Sequence, residues 1–142
     1  MIRKKGQIIR LDTPHTTLVI KADSAEYLYY GKKLASTVGF EYLVGTPCKI
    51  FSQYGYDDYT EPSVLLENAD GGFSTAFTYS RSKILTEKPE IPGLPSSYGE
   101  GKTIELKYVD TPTRVALYLY YTVFEDSDVI AVSSKLVNAS KK

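Results

Sequence analysis

The sequence contains no tryptophan, one cysteine and one histidine, and the shortage of cysteine and of histidine each excludes a class of site. Cys48 alone cannot form an internal disulfide or supply a zinc site by itself. A nucleophile of the Ser-His-Asp or Cys-His kind would need His15, which follows Pro14 in a turn-forming stretch, where a lone histidine is more often a surface residue than a base. We therefore expect no catalytic residue of these kinds, and a packing role for Cys48.

Metal and cofactor sites lack their sequence signals as well. Asp126-Ser127-Asp128 lacks the further acidic positions and the glycine of a calcium loop, so it reads as a turn. No glycine-rich loop precedes a helix, and the sequence shows no helical periodicity. The sequence predicts no metal and no cofactor.

The chain has no excess of positive or negative charge, because 17 Lys and Arg balance 17 Asp and Glu. A chain without a net field is not drawn to nucleic acid or to an anionic membrane, so we expect neither as a partner. The basic start at Arg3, Lys4 and Lys5 resembles a signal sequence, but Gln7 and Arg10 interrupt the apolar run that should follow. We expect a cytoplasmic and bacterial protein.

Most of the chain shows the sequence pattern of β-strands. Its 142 residues suit a single domain, here residues 1–142, with one core. Alternating or β-rich runs predict strands at Gln7–Leu11, Thr16–Ala22, Glu26–Tyr30, Val64–Glu67, Ala76–Ser80, Thr103–Val109, Val115–Phe124 and Val129–Val137. Turn residues such as Asp110-Thr111-Pro112-Thr113 fall between them. The predicted fold is all-β, an antiparallel β-sandwich with little or no helix.

Two of these strands predict where the core lies. In Thr103–Val109 the apolar residues Ile104, Leu106 and Tyr108 share one face, which should be buried. Val115–Phe124 is apolar or aromatic on both faces, as in a central strand. We expect a second sheet of this chain to cover the face with Tyr118, Tyr120, Thr122 and Phe124, although another domain or a ligand would fit that face too.

The richest local feature is the tyrosine-rich loop, residues 54–62, which reads Tyr-Gly-Tyr-Asp-Asp-Tyr-Thr-Glu-Pro. Tyrosine rings offer apolar faces with polar tips, and carboxylates accept hydrogen bonds from hydroxyls, so the loop suits a sugar. A solvated turn is the plainer interpretation, since Gly, paired Asp and Pro all break strands. A pair of catalytic carboxylates would need a deep cleft, which a small sandwich seldom has.

Several segments, taken in order, resemble one family. They are Leu28–Leu34, Gly55–Pro62, Lys88-Pro89 with Gly93–Tyr98, Thr103–Asp110, Tyr121–Ile130 and the later Asn138. They resemble the N-terminal region of α-galactosidases of glycoside hydrolase family 36. The resemblance implies part of a galactose-mutarotase-like β-supersandwich, and a fragment of a larger enzyme whose (β/α)8 barrel cleaves α-galactosides with retention, using two barrel aspartates. On this view the chain itself holds no catalytic residue.

The resemblance also implies which residues could meet the sugar. Asp58 matches the loop aspartate that lies near the sugar site of the same or a neighbouring subunit, and Tyr59 stands where the family usually has Phe. Asp57 is the alternative inward-facing carboxylate. Thr60 and Val132 replace family arginines, which removes two charge-assisted contacts.

Three functions therefore compete at this stage. The first is a non-catalytic N-terminal domain that supports the catalytic barrel of its parent chain and contributes homo-oligomer contacts, with an α-galactoside as ligand. The second is a free-standing carbohydrate-binding module with Tyr54, Tyr56 and Tyr59 as a stacking platform. The third is a structural domain with no ligand.

Overall fold

The computed structural model describes residues 1–43, 45, 48–55, 60–93, 95 and 99–140. In these residues the fold is all-β, as predicted, with two four-stranded antiparallel sheets and a single 3-10 turn, Glu41–Leu43. The first sheet holds β1 (Ile2–Lys5), β2 (Ile8–Asp12), β3 (Thr16–Lys21) and β4 (Glu26–Lys32) in chain order. The second holds β5 (Phe77–Leu85), β6 (Gly101–Asp110), β7 (Val115–Phe124) and β8 (Ile130–Asn138), also in chain order.

The core lies between the two sheets. The predicted apolar face of β6 is confirmed, because Ile104 and Leu106 are fully buried and Tyr108 nearly so. Register places them beside Tyr121, Leu119 and Leu117 of β7. From the first sheet the core receives Ile9, Leu11, Leu18 and Ile20. Burial of this much branched and aromatic surface is the main stabilising term of the sandwich.

The expectation that another sheet of this chain covers the face of β7 with Tyr118 and Tyr120 is wrong, although Thr122 and Phe124 at its end are buried. The first sheet covers the opposite face of β7, because the register with β6 puts Leu117, Leu119 and Tyr121 on the side of the β6 core residues. The Tyr118 and Tyr120 rings are only half-buried and stack in parallel with centroids 6.4 Å apart. Since both faces of this strand are apolar or aromatic, its own sequence could not decide which one meets the core.

A third layer covers the outer face of the first sheet. Leu34, Phe40 and Leu43 pack there against Val19 and Leu28. A buried polar network holds this layer: the Arg10 side chain contacts both oxygens of Asp12 at 2.9 Å and donates to the carbonyls of Leu34 and Ala35. Asp12 also accepts from the Thr17 hydroxyl at 2.6 Å.

Two strand predictions need correction. β1 was not predicted, because its basic residues hide a strand that pairs with β2 from Ile2↔Leu11 to Lys5↔Ile8. Val64–Glu67 is not a strand, and Val64 forms only an isolated bridge with Gln53. Buried and exposed side chains do alternate in this segment, since Val64 and Leu66 pack on the core while Leu65 is 57% exposed. Burial alone produced the pattern, without a hydrogen-bonded ladder.

Candidate functional site

The base of the tyrosine-rich loop is closed by hydrogen bonds between its two ends. The Ser63 backbone N–H donates to the Ser52 carbonyl at 3.1 Å, and the Ser52 hydroxyl donates to the Glu61 carbonyl at 2.7 Å. The two serine hydroxyls also lie 3.1 Å apart. The two flanks of the loop, at Ser52 and at Glu61 to Ser63, are therefore held together.

The loop base is anchored to the sandwich core. The Phe51 ring packs edge-on against Phe77 at 6.3 Å and against Tyr108 at 5.0 Å between centroids. Next to it, the buried Gln53 side chain accepts a hydrogen bond from the backbone N–H of Phe77 at 2.6 Å. Sequence reasoning missed Gln53. A glutamine in a run of aromatic and small residues was its only signal, and its partner lies 24 positions away.

At the start of the loop, Tyr54 and Gly55 are fixed by the segment that follows the Asn68–Gly72 turn. Tyr54 is half-exposed and its ring meets Phe73 edge-on, with centroids 6.4 Å apart. Gly55 has a φ of +74°, and a Cβ built there would lie 2.8 Å from the Ser74 Oγ. Both the positive φ and the close approach favour glycine at this position.

The predicted site residues Asp57, Asp58 and Tyr59, together with Tyr56, lie outside the described residues. Their positions relative to one another therefore stay predictions. The neighbouring charges can be described. Residues 50–80 contain five acidic residues and no Lys or Arg, and Glu61, Glu67 and Asp70 among them are exposed. An acidic surface of this kind accepts hydrogen bonds from hydroxyls and repels phosphates and other anions.

His15 is exposed, as predicted, and it takes part in a polar contact that joins the two sheets, which we call the Asp128 clasp. Asp128 accepts from the Thr13 hydroxyl at 2.6 Å and from the His15 backbone N–H at 2.8 Å, and its second oxygen lies 2.9 Å from His15 Nδ1. These hydrogen bonds, led by the one from Thr13, lower the pKa of Asp128 to about 2. The Thr13 hydroxyl donates its proton to the carboxylate, so these contacts give the clasp a structural character.

Cys48 is exposed, so the expected packing role is wrong. Its carbonyl accepts from the Tyr27 backbone N–H at 2.9 Å, which ties the residue to the edge of β4 and leaves its side chain at the surface. There it lines a cleft of about 600 Å³, the open-side cleft, between edge strands β4 and β8. The other lining residues are mostly apolar and include Tyr27, Tyr30, Tyr121, Ile130 and Val132.

The described part of the chain has neither a metal-ligand cluster nor a membrane-spanning helix. It contains no group of three or more His, Cys, Asp or Glu side chains that could hold a metal ion. None of its helices is long and apolar enough to cross a membrane.

Comparisons with known proteins agree with one another. Residues 23–142 match the model of the glycosyl hydrolase family 36 N-terminal domain. The bifunctional α-galactosidase/sucrose kinase AgaSK of Mediterraneibacter gnavus is 27% identical over 93% of this chain, and α-galactosidase 2 of Hypocrea jecorina is 29% identical over 72% of it. This chain covers only 17% and 14% of those two proteins.

Solved structures show the same fold. The galactosidase domain of AgaSK aligns with 99% of this chain at a TM-score of 0.86 and 24% identity, and the chain covers 23% of it. The α-galactosidase of Lactobacillus brevis aligns with 95% at a TM-score of 0.83 and 25% identity, and the chain covers 22% of it. These comparisons do not favour the free-standing carbohydrate-binding module. The chain belongs to the N-terminal domain family of glycoside hydrolase family 36.

Proposed function

We propose that this chain is the non-catalytic N-terminal domain of a retaining α-galactosidase, and that it supports the catalytic barrel of its parent polypeptide and contributes homo-oligomer contacts. The match of the family model to residues 23–142 carries this proposal. Its further support is that named α-galactosidases contain this unit as 14–17% of their length, which leaves most of each chain for other domains.

The tyrosine-rich loop is the proposed point of contact with an α-galactoside. Its base is joined to the core by the Gln53 hydrogen bond and closed by the Ser52–Ser63 hydrogen bonds. The surrounding surface is acidic and suits a neutral, hydroxyl-rich ligand. In this proposal Asp58 accepts hydrogen bonds from substrate hydroxyls, Tyr59 packs beside the sugar, and Asp57 is the alternative acceptor.

The test is an activity assay on two proteins. The 142-residue chain should not hydrolyse an aryl α-galactoside, because it lacks the barrel that would hold the carboxylate pair. The complete polypeptide encoded by the gene should hydrolyse it. Turnover by the short chain that survives repurification and is lost in Asp57→Asn or Asp58→Asn would overturn the proposal, as would a complete polypeptide without activity.

The proposal also includes the cellular location of the parent enzyme. We propose that the parent enzyme is cytoplasmic and bacterial, which fractionation of the source cells would test.

A further inference from the structure

The Asn68–Gly72 turn contains Asp70-Gly71, the one place in the sequence where a glycine follows an aspartate. Both residues are exposed. Glycine has no side chain to shield its own backbone nitrogen, and a Cβ built on Gly71 would meet no atom of the described residues within 4 Å. The Gly71 nitrogen is therefore sterically free to attack the carboxyl group of Asp70.

The Asp70 carboxyl group already lies against the backbone that follows it. Its Oδ1 accepts a hydrogen bond from the Gly72 backbone N–H at 2.9 Å. A Cβ built on Gly72 would lie 3.7 Å from the Asp70 Cγ, so the carboxyl carbon is folded over the main chain instead of extending into solvent. To reach the Gly72 nitrogen, the side chain passes beside the Gly71 nitrogen. The turn therefore holds the two reacting groups near one another.

One hydrogen bond opposes this attack. The Gly71 N–H donates to the Asn68 carbonyl at 2.9 Å, and the nitrogen must leave that acceptor before it can reach the carboxyl carbon. The turn lies at the surface, where backbone hydrogen bonds open at low cost in free energy. Gly71 also adopts other backbone conformations than its φ of +82° without strain. The hydrogen bond therefore slows the reaction without preventing it.

We infer that Asp70 is a modification site, at which the Asp70-Gly71 peptide isomerises to isoaspartate. The Gly71 nitrogen attacks the Asp70 carboxyl carbon, and one carboxyl oxygen leaves as water with a proton from that nitrogen and a proton from solvent. Water then adds to the main-chain carbonyl carbon of the resulting five-membered imide, the bond from that carbon to nitrogen breaks, and a proton returns to solvent. The chain now runs through the former side-chain carboxyl group. One water is lost and one is regained, so the step needs no oxidant and no cofactor.

The modification would act on the start of the tyrosine-rich loop. The Asn68 side-chain amide donates to the Ser74 carbonyl at 3.1 Å, which ties the turn to the segment that follows it. In that segment the Phe73 ring meets the Tyr54 ring edge-on. Ser74 lies against Gly55. Isoaspartate adds one carbon to the main chain of the turn between these contacts, so we expect it to weaken the hold on Tyr54.

Storage of the folded 142-residue chain at neutral pH, warm but below its unfolding transition, tests the inference without any enzyme assay. Trypsin releases residues 50–81 as one peptide, since residues 50–80 contain no Lys or Arg. Electron-transfer fragmentation in a mass spectrometer then locates isoaspartate within it. We expect at least about tenfold more isoaspartate at Asp70 than at the exposed Asp23 and Asp126, because both of these precede a serine, whose side chain hinders the attacking nitrogen. Equal amounts at the three positions, or none at Asp70, would overturn the inference.

Two variants separate this reaction from general ageing, and circular dichroism would check that both fold. Asp70→Glu keeps the charge but would have to close a six-membered ring, so the isoaspartate signal at this position should be lost. Asp70→Asn loses ammonia, which leaves more readily than water does, so isoaspartate should form there faster than in the wild type. An unchanged rate in Asp70→Asn would show that the turn blocks the attack. After storage, chymotrypsin should cleave the wild type after Tyr54 faster than Asp70→Glu, and equal cleavage would contradict the expected effect on the loop.

Discussion

The hydroxyl groups of Tyr27 and Tyr121 lie 2.8 Å apart and join the two sheets across the sandwich. Tyr121 is almost fully buried, and burial raises the pKa of its phenol, so the group stays neutral and can only share its proton. Tyr27 comes from edge strand β4 and Tyr121 from central strand β7, so the bond fixes the spacing of the sheets beside the open-side cleft.

The first prediction concerns this bond. Tyr121→Phe keeps the ring but leaves the half-buried Tyr27 hydroxyl without this partner, and we expect the free energy of unfolding to fall by about 0.5–1.5 kcal/mol. Urea denaturation would measure it. Tyr30→Phe is the matched control, because Tyr30 is 66% exposed and its substitution should leave stability unchanged within about 0.5 kcal/mol. Equal effects of the two substitutions would contradict the assignment.

The buried ion pair between Arg10 and Asp12 gives a larger effect. Asp12→Ala leaves the Arg10 charge buried and removes the acceptor of the Thr17 hydroxyl, so we expect a loss of about 3–5 kcal/mol. The exposed pair between Lys5 and Glu41 is the control, and Lys5→Ala should cost less than about 1 kcal/mol. A comparably small effect of Asp12→Ala in urea denaturation would mean that water reaches Arg10 readily.

The Asp128 clasp predicts a dependence of stability on pH. The pKa of Asp128 is about 2 in the folded chain, below the ordinary value of 3.8 that the unfolded chain should show. A group with a lowered folded pKa stabilises the fold above its unfolded pKa, and this stabilisation is lost as the pH falls through the interval from about 4 to about 2.

Asp128→Asn should remove that contribution. Thermal unfolding of the wild type and the variant would then differ at pH 6 and converge toward pH 2. Asp126→Asn is the control at a neighbouring position of the same turn, and it should follow the wild type. A constant difference between Asp128→Asn and the wild type over the whole range would show that the carboxylate charge is not involved.

The tyrosine-rich loop gives the prediction for catalysis by the parent enzyme. If Asp58 accepts a substrate hydrogen bond, Asp58→Asn should lower kcat/KM about ten- to a hundredfold, the equivalent of about 1.5–3 kcal/mol, while the fold stays intact. Asp57→Asn is the matched control and should have a smaller effect. The reverse order would assign the contact to Asp57, and two silent substitutions would mean that the loop is a turn without contact to substrate.

Much of the fold follows from local pattern. Alternating or β-rich runs predicted seven of the strands, β2 to β8, and alternation identified Ile104, Leu106 and Tyr108 as core, because a side-chain period of two assigns each residue to a face. The sequence pattern did not predict strands correctly where two different structural causes produce the same pattern. The alternation at Val64–Glu67 comes from burial of an extended segment without a ladder, and the basic residues of β1 concealed a strand that forms only because β2 pairs with it.

For the candidate site, too, one part could be predicted from the sequence and another part could not. The composition of residues 54–62 by itself predicts a hydroxyl-rich ligand, because tyrosine and carboxylate chemistry does not depend on the fold. The anchoring of the loop could not be predicted, since Gln53 and Phe77 are 24 positions apart. Only chain topology brings them within hydrogen-bonding distance.

The sequence by itself determined the β-sandwich class, the lack of disulfide and triad chemistry, and the resemblance to its family, because these rest on local periodicity and on residue inventory. The tertiary structure alone decided which face of β7 is buried, that Asp128 reaches Thr13 and His15, and that Tyr27 meets Tyr121. Each of these depends on how two distant strands are placed relative to one another, and that placement results from packing the whole core at once rather than from any local segment.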